Sequence, residues 1–166
     1  WVGTDNNGVW QFLKNGATEQ FAIEGAGPLD SASEDANGTI WLKFGKGGGA
    51  GARYPNGKLL PVYGQFNFAV AEKNGPVWLA TDAGLLPIIA PPGSGAMILQ
   101  QASPVPANDL KFMVAGKTEG IWRFAGGRVT KWKDNRLERD LGPYPWGDKQ
   151  VMAACEDHRG NLIVGT

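Results

Sequence analysis

The strongest constraint on the fold of this chain is a short motif that recurs along its whole length. Each copy has a small residue, several polar residues around a glycine, and then a strand-like segment with a large apolar anchor. The copies are "SEDANGTIW" at 33–41, "AEKNGPVW" at 71–78, "AGKTEGIW" at 115–122 and "CEDHRGNLI" at 155–163. If Trp1 anchors a preceding copy, successive anchors are 40, 37, 44 and 41 residues apart. Such a period indicates a repeat architecture in which each copy is one supersecondary unit.

Each copy begins as two β-strands joined by a hairpin. The first strand is rich in Ala, Val and Met, which predicts an inner strand with little space on either face. These strands end on a small residue in every copy: Ser33, Ala71, Ala115 and Cys155. We expect a glycine to supply the positive φ of each hairpin turn. These glycines are Gly38, Gly75, Gly120 and Gly160.

Two more strands follow in each repeat, and no stretch of the chain shows sustained helical periodicity. Four short antiparallel strands about every 40 residues predict an all-β fold made of β-propeller blades. The anchors Trp41, Trp78 and Trp122 are then wedges that fill the space between neighbouring blades.

The repeats divide the chain into about four blades' worth of sequence. We expect a partial blade at 1–29, complete blades at 30–66, 67–108 and 109–147, and a partial blade at 148–166. The favoured interpretation is a fragment of a larger ring, most simply one of seven blades. The alternative is a small ring in which the first strand of the last copy completes the first sheet. Exposed blade edges predict self-association of an open fragment.

Composition excludes several classes of partner. Lys plus Arg and Asp plus Glu are both 16, so the net charge is zero. No net positive field attracts nucleic acid or an anionic membrane, and no apolar run is long enough to cross a bilayer. A single cysteine excludes an internal disulfide. We therefore expect neither nucleic acid nor membrane contact within this segment.

Residues suited to catalysis or metal binding are few. His158 is the one histidine and falls in a predicted hairpin turn, so we expect a solvated residue and neither a metal ligand nor a base. Cys155 shares its position with small residues, which predicts packing. In the acidic pairs Glu34-Asp35 and Glu156-Asp157, we expect one carboxylate to cap the turn and the other to meet solvent. The glycine-rich segment 45–51 is expected to be a flexible connection. No catalytic residue, metal or cofactor is predicted.

The best functional candidates lie in the loops that enter the inner strands. In a propeller these loops share one face around the central channel, where ligands bind. Their polar and aromatic residues are Asp30, Asn67, Asn108, Asp109, Tyr144, Trp146 and Asp148. The rings of Tyr144 and Trp146 suit stacking against planar or sugar-like ligands, although Trp146 could equally cover a neighbouring blade. This pattern predicts a small-molecule or saccharide ligand on the loop face.

The repeat motif resembles a known family. "EDANGTIWL", "WVGTDNNGVWQF", "VWLATDAGLL" and "EDHRGNLIVGT" are similar to the two-component regulator propeller repeats of bacterial hybrid histidine kinases. Pro76 in the second copy, and Gly116 with Lys117 in the third, depart from the pattern. The resemblance implies a periplasmic or extracellular ligand-sensing module, with any kinase outside this chain and no enzyme activity of its own.

Two alternatives stay open. Similar propellers occur among streptogramin lyases, which implies a propeller lyase; those enzymes are expected to use a histidine on the loop-rich face, whereas His158 falls in a hairpin opposite it. The third possibility is a protein-interaction or structural propeller.

Overall fold

The computed structural model describes residues 2–3, 9–21, 28–34, 38–45, 50–53, 59–62, 67–81, 84–88 and 109–166. These residues form strands and turns, with no helix among them, and hence none that could span a membrane. All strand pairs are antiparallel and join neighbours in the chain. The prediction of an all-β chain is confirmed.

The strands form five sheets. The first contains β1 (Val2–Gly3), β2 (Val9–Phe12) and β3 (Thr18–Phe21). The second contains β4 (Leu29–Glu34), β5 (Ile40–Phe44), β6 (Ala50–Arg53) and β7 (Leu59–Val62). The third contains β8 (Phe68–Ala71), β9 (Val77–Thr81) and β10 (Gly84–Ile88). The fourth contains β11 (Leu110–Ala115), β12 (Ile121–Ala125), β13 (Arg128–Lys133) and β14 (Arg136–Pro143). The fifth contains β15 (Ala153–Glu156) and β16 (Leu162–Gly165).

The first strands of four sheets lie side by side. Strand β4 contacts β8, β8 contacts β11, and β11 contacts β15. A hydrogen bond from Ser33 Oγ to the Ala69 carbonyl, 3.2 Å long, joins β4 to β8. Residues of all four strands line one groove of about 480 Å³. Inner strands around a common channel are the arrangement of consecutive propeller blades. The total number of blades and the blade boundaries stay predictions.

The tryptophan anchors are buried where the wedge interpretation requires. Trp41, Trp78 and Trp122 are 2%, 3% and 1% exposed, each within the second strand of its sheet. Trp78 belongs to a cluster with Met113 and Ile121 of the following sheet. Trp122 belongs to one with Val151, and Leu162 and Val164 of the fifth sheet pack against it. Because a twisted sheet cannot bury both faces alone, these side chains supply the contact between blades.

Polar side chains are buried beside the same wedges. The indole of Trp78 donates a 2.9 Å hydrogen bond to Glu72 Oε2. Arg123 is 3% exposed, with its guanidinium 4.4 Å from the centre of the Trp132 ring and 6.0 Å from that of Trp78. Burial lowers the pKa of Arg123 to about 10, so the group remains charged at neutral pH. A planar cation between aromatic rings gains cation–π energy that offsets part of its desolvation.

The predicted alignment of the repeats is wrong by one residue in two copies. The residues that pair directly with the anchors are Ser33, Val70, Val114 and Cys155. Ala71 and Ala115 instead pair one position further along, with Val77 and Ile121. The hairpins have equal length, since Glu72, Gly116 and Asp157 donate their N–H groups to Pro76, Gly120 and Asn161. Matching small residues therefore misplaced the register, because the inner strand accepts valine opposite tryptophan.

One predicted turn glycine has a different role. Gly38, Gly120 and Gly160 have φ of 77°, 76° and 80°, but in the second copy it is Asn74 that adopts positive φ, at 61°. A Cβ on Gly75 would lie 2.9 Å from Cγ and Cδ of Glu72. Glycine is therefore needed at position 75 for space, because the Glu72 side chain lies over the turn to reach Trp78.

Candidate functional site

The connection from β14 to β15 is fixed to the fourth sheet by backbone bonds. Tyr144 donates its N–H to the Gly127 carbonyl at 2.8 Å, and Gly147 donates to the Tyr144 carbonyl at 3.4 Å. Gly142 and Gly147 have φ of 89° and 68°, which turns the chain sharply twice. The connection therefore holds the predicted residues 144–148 in one defined turn at the end of the fourth sheet.

Tyr144 and Trp146 stack on each other inside this turn. Their ring centres are 5.1 Å apart with an interplanar angle of 15°, and both rings lie 6.4 Å from Phe124. They pack against the cluster that joins the fourth and fifth sheets. Trp146 thus covers a blade junction, which was one of the two expectations for it. Neither the Tyr144 hydroxyl nor the Trp146 indole nitrogen, both buried, has a hydrogen-bond partner within the described residues.

Asp109 comes to the same place from the other side. It precedes β11 with φ of 56°, and its carboxylate lies 2.5 Å from Lys111 Nζ. Burial and the Asp109 carboxylate together raise the pKa of Tyr144, because both disfavour a phenolate.

These elements enclose a cavity of about 520 Å³. Three predicted residues line it: Asp109, Tyr144 and Asp148. Six residues that the sequence analysis did not select also line it: Lys111, Gly127, Gly147, Lys149, Gln150 and Val151. Lys149 and Gln150 could have been selected from the sequence as cavity residues, because they directly follow Asp148 in the same loop. Nothing in the repeat pattern marks Lys111 or Gly127.

The remaining predicted residues lie elsewhere. Asp30 forms an ion pair of 2.7 Å with Lys43 and lines the groove between the inner strands. Asn67 donates its backbone N–H to the Ala80 carbonyl at 2.6 Å. Neither residue lines the 520 Å³ cavity, and Asn108 lies outside the described residues. The predicted ring of polar groups is therefore divided between two places, and its role in binding stays a prediction.

The fifth sheet corrects two expectations. Cys155 is exposed, not packed, because it lies with Ile163 on a face that no described sheet covers. Asp157 caps the hairpin as expected, since its Oδ1 accepts 2.8 Å hydrogen bonds from the N–H groups of Arg159 and Asn161. Its partner Glu156 was expected to meet solvent, yet its side chain is only 4% exposed.

Glu156 instead joins the fourth and fifth sheets. Its Oε1 lies 3.2 Å from Lys131 Nζ, and its Oε2 accepts a 2.6 Å hydrogen bond from the Lys117 N–H. Lys131 Nζ also lies 5.4 Å from the centre of the Trp122 ring. Burial raises the pKa of Glu156, but these bonds outweigh it and hold that pKa below its ordinary value.

His158 occupies an exposed hairpin at the end of the sheets opposite the cavity. Across the part of the chain that the structure describes, no three His, Cys, Asp or Glu side chains are grouped so as to hold a metal ion. In the segment 45–51, residues 46–49 lie outside the described residues.

No protein-family model matches this chain, and no curated protein matches it. Solved structures with a similar fold include a gluconolactonase from Xanthomonas campestris, at TM-score 0.68 and 12% identity over 96% of this chain and 62% of that one. A catalytically inactive virginiamycin B lyase from Staphylococcus aureus with quinupristin is similar at TM-score 0.61 and 16% identity, over 89% of this chain and 52% of that one. A streptogramin B lyase is similar at TM-score 0.59 and 13% identity, over 95% of this chain and 61% of that one.

These similarities establish the fold. The neighbours are propeller proteins, so the predicted propeller class is confirmed. The chain spans about half to three-fifths of their length. At such low identity the likeness does not extend to activity, and the finer resemblance to two-component regulator repeats stays a prediction.

Proposed function

We propose that this chain is a ligand-recognition segment of a larger extracytoplasmic propeller in a bacterial signalling protein, and that it binds a small molecule or saccharide in the 520 Å³ cavity. One observation carries the proposal. Residues selected from two separate inner-strand loops, Asp109 from one and Tyr144 with Asp148 from the other, line the same cavity. Its volume lies within the range of small-molecule sites, about 300 to 1,000 Å³.

The position of the cavity suits a sensor. Asp109 directly precedes β11 of the fourth sheet and Lys111 lies within it, and residues 148–151 lead into the fifth sheet. A ligand that contacts both sides binds best at one relative position of the two sheets, and so it favours that arrangement. The signalling and extracytoplasmic parts of the proposal are supported by the repeat motif alone.

The test is direct binding by the purified chain. A panel of neutral mono- and disaccharides is screened by ligand-observed NMR, and affinities of the ligands found are measured by calorimetry. We expect Asp148→Asn to weaken binding at least fivefold, because it removes a charged acceptor from the cavity. The matched control is Asp134→Asn, at an exposed hairpin with φ of 49°, a conformation that asparagine tolerates.

Asp134 lies at the far end of the β13–β14 hairpin from the cavity, so its variant should bind like the parent chain. A failure of every ligand to bind, or equal losses in the two variants, would refute the proposed function. Sedimentation of the same samples tests the proposed self-association, which predicts that apparent mass rises with protein concentration.

A further inference from the structure

The charges that line the cavity cancel. Two acidic residues, Asp109 and Asp148, and two basic residues, Lys111 and Lys149, line it. Tyr144 adds no charge, because a phenol is protonated at neutral pH. The residues that line the cavity therefore carry no net charge that would favour an anion over a cation.

The four charged groups are not equally available to a ligand. Asp109 and Lys111 already form a 2.5 Å ion pair with each other. Asp148 and Lys149, in contrast, are exposed and form no ion pair or hydrogen bond with any described residue. Gln150 follows them and is likewise exposed. A ligand thus meets an acceptor, a cationic donor and an amide that offers both functions, on three consecutive residues.

A ligand with a net charge can form an ion pair with only one of the two charged groups, Asp148 or Lys149. Asp148 and Lys149 are adjacent in the chain, so an anion bound at Lys149 also meets the charge of Asp148, and a cation bound at Asp148 also meets that of Lys149. The repulsion from the second group then offsets the attraction to the first. A pair of neighbouring hydroxyls serves both groups at once, because each hydroxyl is a donor to a carboxylate or an acceptor from an ammonium. Val151 and the Tyr144 ring add an apolar wall that suits the C–H face of a sugar ring.

We infer that the cavity selects neutral polyhydroxylated ligands, of the class of a hexose unit, and discriminates against the same sugar with an acidic or basic group. This inference rests on the proposed binding function and specifies its ligand class. Asp148 disfavours the acidic sugar, and Lys149 disfavours the basic one.

The experiment compares three forms of one sugar. D-Glucose, D-glucuronate and D-glucosamine are titrated into the chain at neutral pH, or the corresponding set for whichever neutral sugar of the panel binds best. We expect the neutral form to bind at least fivefold tighter than either charged form. Asp148→Asn should bind the uronate at least fivefold tighter than the parent chain binds it, and Lys149→Gln should do the same for the amino sugar.

The outcomes separate the two proposals. If a charged form binds tightest to the parent chain, the ligand class inferred here is wrong while the binding function stands. If neither variant binds its charged sugar more tightly than the parent chain does, the assignment of selectivity to Asp148 and Lys149 is overturned. If no form binds, both proposals fail. Circular dichroism of each variant establishes that the exposed substitutions leave the fold intact.

Discussion

Replacement of Glu156 by glutamine should lower the free energy of unfolding, because it removes the ion pair that joins the fourth and fifth sheets. Glutamine keeps the size of the side chain and an oxygen that can accept the Lys117 N–H, now 2.6 Å from Oε2. It removes the negative charge 3.2 Å from Lys131 Nζ, where the two side chains are 4% and 9% exposed. The ammonium then stays buried without its nearest counter-ion, which is the costly way to break an ion pair.

The magnitude follows from what Lys131 retains. Removing one partner of a buried pair costs about 3–5 kcal/mol, and losing a hydrogen bond to a charged group about 1.5–3 kcal/mol. Lys131 keeps a second carboxylate, Glu138, at 3.8 Å, and a contact with the Trp122 ring at 5.4 Å. We therefore expect a loss of about 2–3 kcal/mol in the free energy of unfolding, which corresponds to roughly 5–10 °C in Tm for a chain of this size.

The control acts on the same lysine. Glu138 is 47% exposed, so Glu138→Gln removes a partner that is screened by solvent and should cost less than about 0.5 kcal/mol. Urea unfolding followed by circular dichroism measures both variants. Equal stabilities for the Glu156 and Glu138 variants, within about 0.5 kcal/mol, would show that the buried pair does not join the sheets.

The same carboxylate gives a pH signature. The folded-state pKa of Glu156 lies below its ordinary value of 4.5, so the folded chain binds fewer protons than the unfolded chain as acid is added. Its contribution to stability is complete above the unfolded pKa and is lost as the pH falls through the folded pKa. Stability of the parent chain should decline more steeply below about pH 4.5 than that of Glu156→Gln, which has no carboxylate to titrate there.

Two further substitutions test the turns and the wedges. A Cβ on Gly120, where φ is 76°, would lie 2.5 Å from the Trp132 carbonyl oxygen, whereas a Cβ on Gly126, where φ is 55°, meets nothing within 4 Å. Gly126→Ala should therefore lower the free energy of unfolding in urea by about 1 kcal/mol, and Gly120→Ala should lower it by clearly more. Trp122 is 1% exposed, so Trp122→Ala leaves a buried cavity and should lower the free energy of unfolding by about 3–5 kcal/mol. Phe12 is 63% exposed, so Phe12→Ala should lower it by less than about 1 kcal/mol. Similar losses of stability in the two variants would contradict the wedge interpretation.

Spacing in the sequence predicted the features that depend on backbone geometry. The repeat period placed Trp41, Trp78 and Trp122 in equivalent buried positions, because an indole between twisted sheets must recur once per blade. Two consecutive residues with positive φ, Asp134 at 49° and Asn135 at 60°, form the tight β13–β14 turn, and such a turn favours Asp and Asn at these positions.

Features that depend on contacts between blades were not predictable in this way. Glu156 follows Cys155 on the strand, and local alternation alone cannot tell that Lys131 of the preceding sheet lies against it. Glu156 is fixed by a neighbour distant in the chain, and one sequence carries no record of that neighbour. The choice between Asn74 and Gly75 for positive φ has a local cause that the turn motif does not show, since the Glu72 side chain reaches across the same hairpin to Trp78.

The site shows the same division within a single connection. Tyr144 and Trp146 stack over the junction of the fourth and fifth sheets, so their positions are set by packing. Asp148 and Lys149 follow in the same turn, remain exposed and pair with no described residue. In the proposed function, Asp148 and Lys149 serve recognition, Trp146 serves packing, and Tyr144 both packs at the junction and lines the cavity. A propeller can then alter its ligand through the exposed residues while the aromatic pair maintains the contact between blades, since surface substitutions cost little and buried ones cost several kcal/mol, about 3–5.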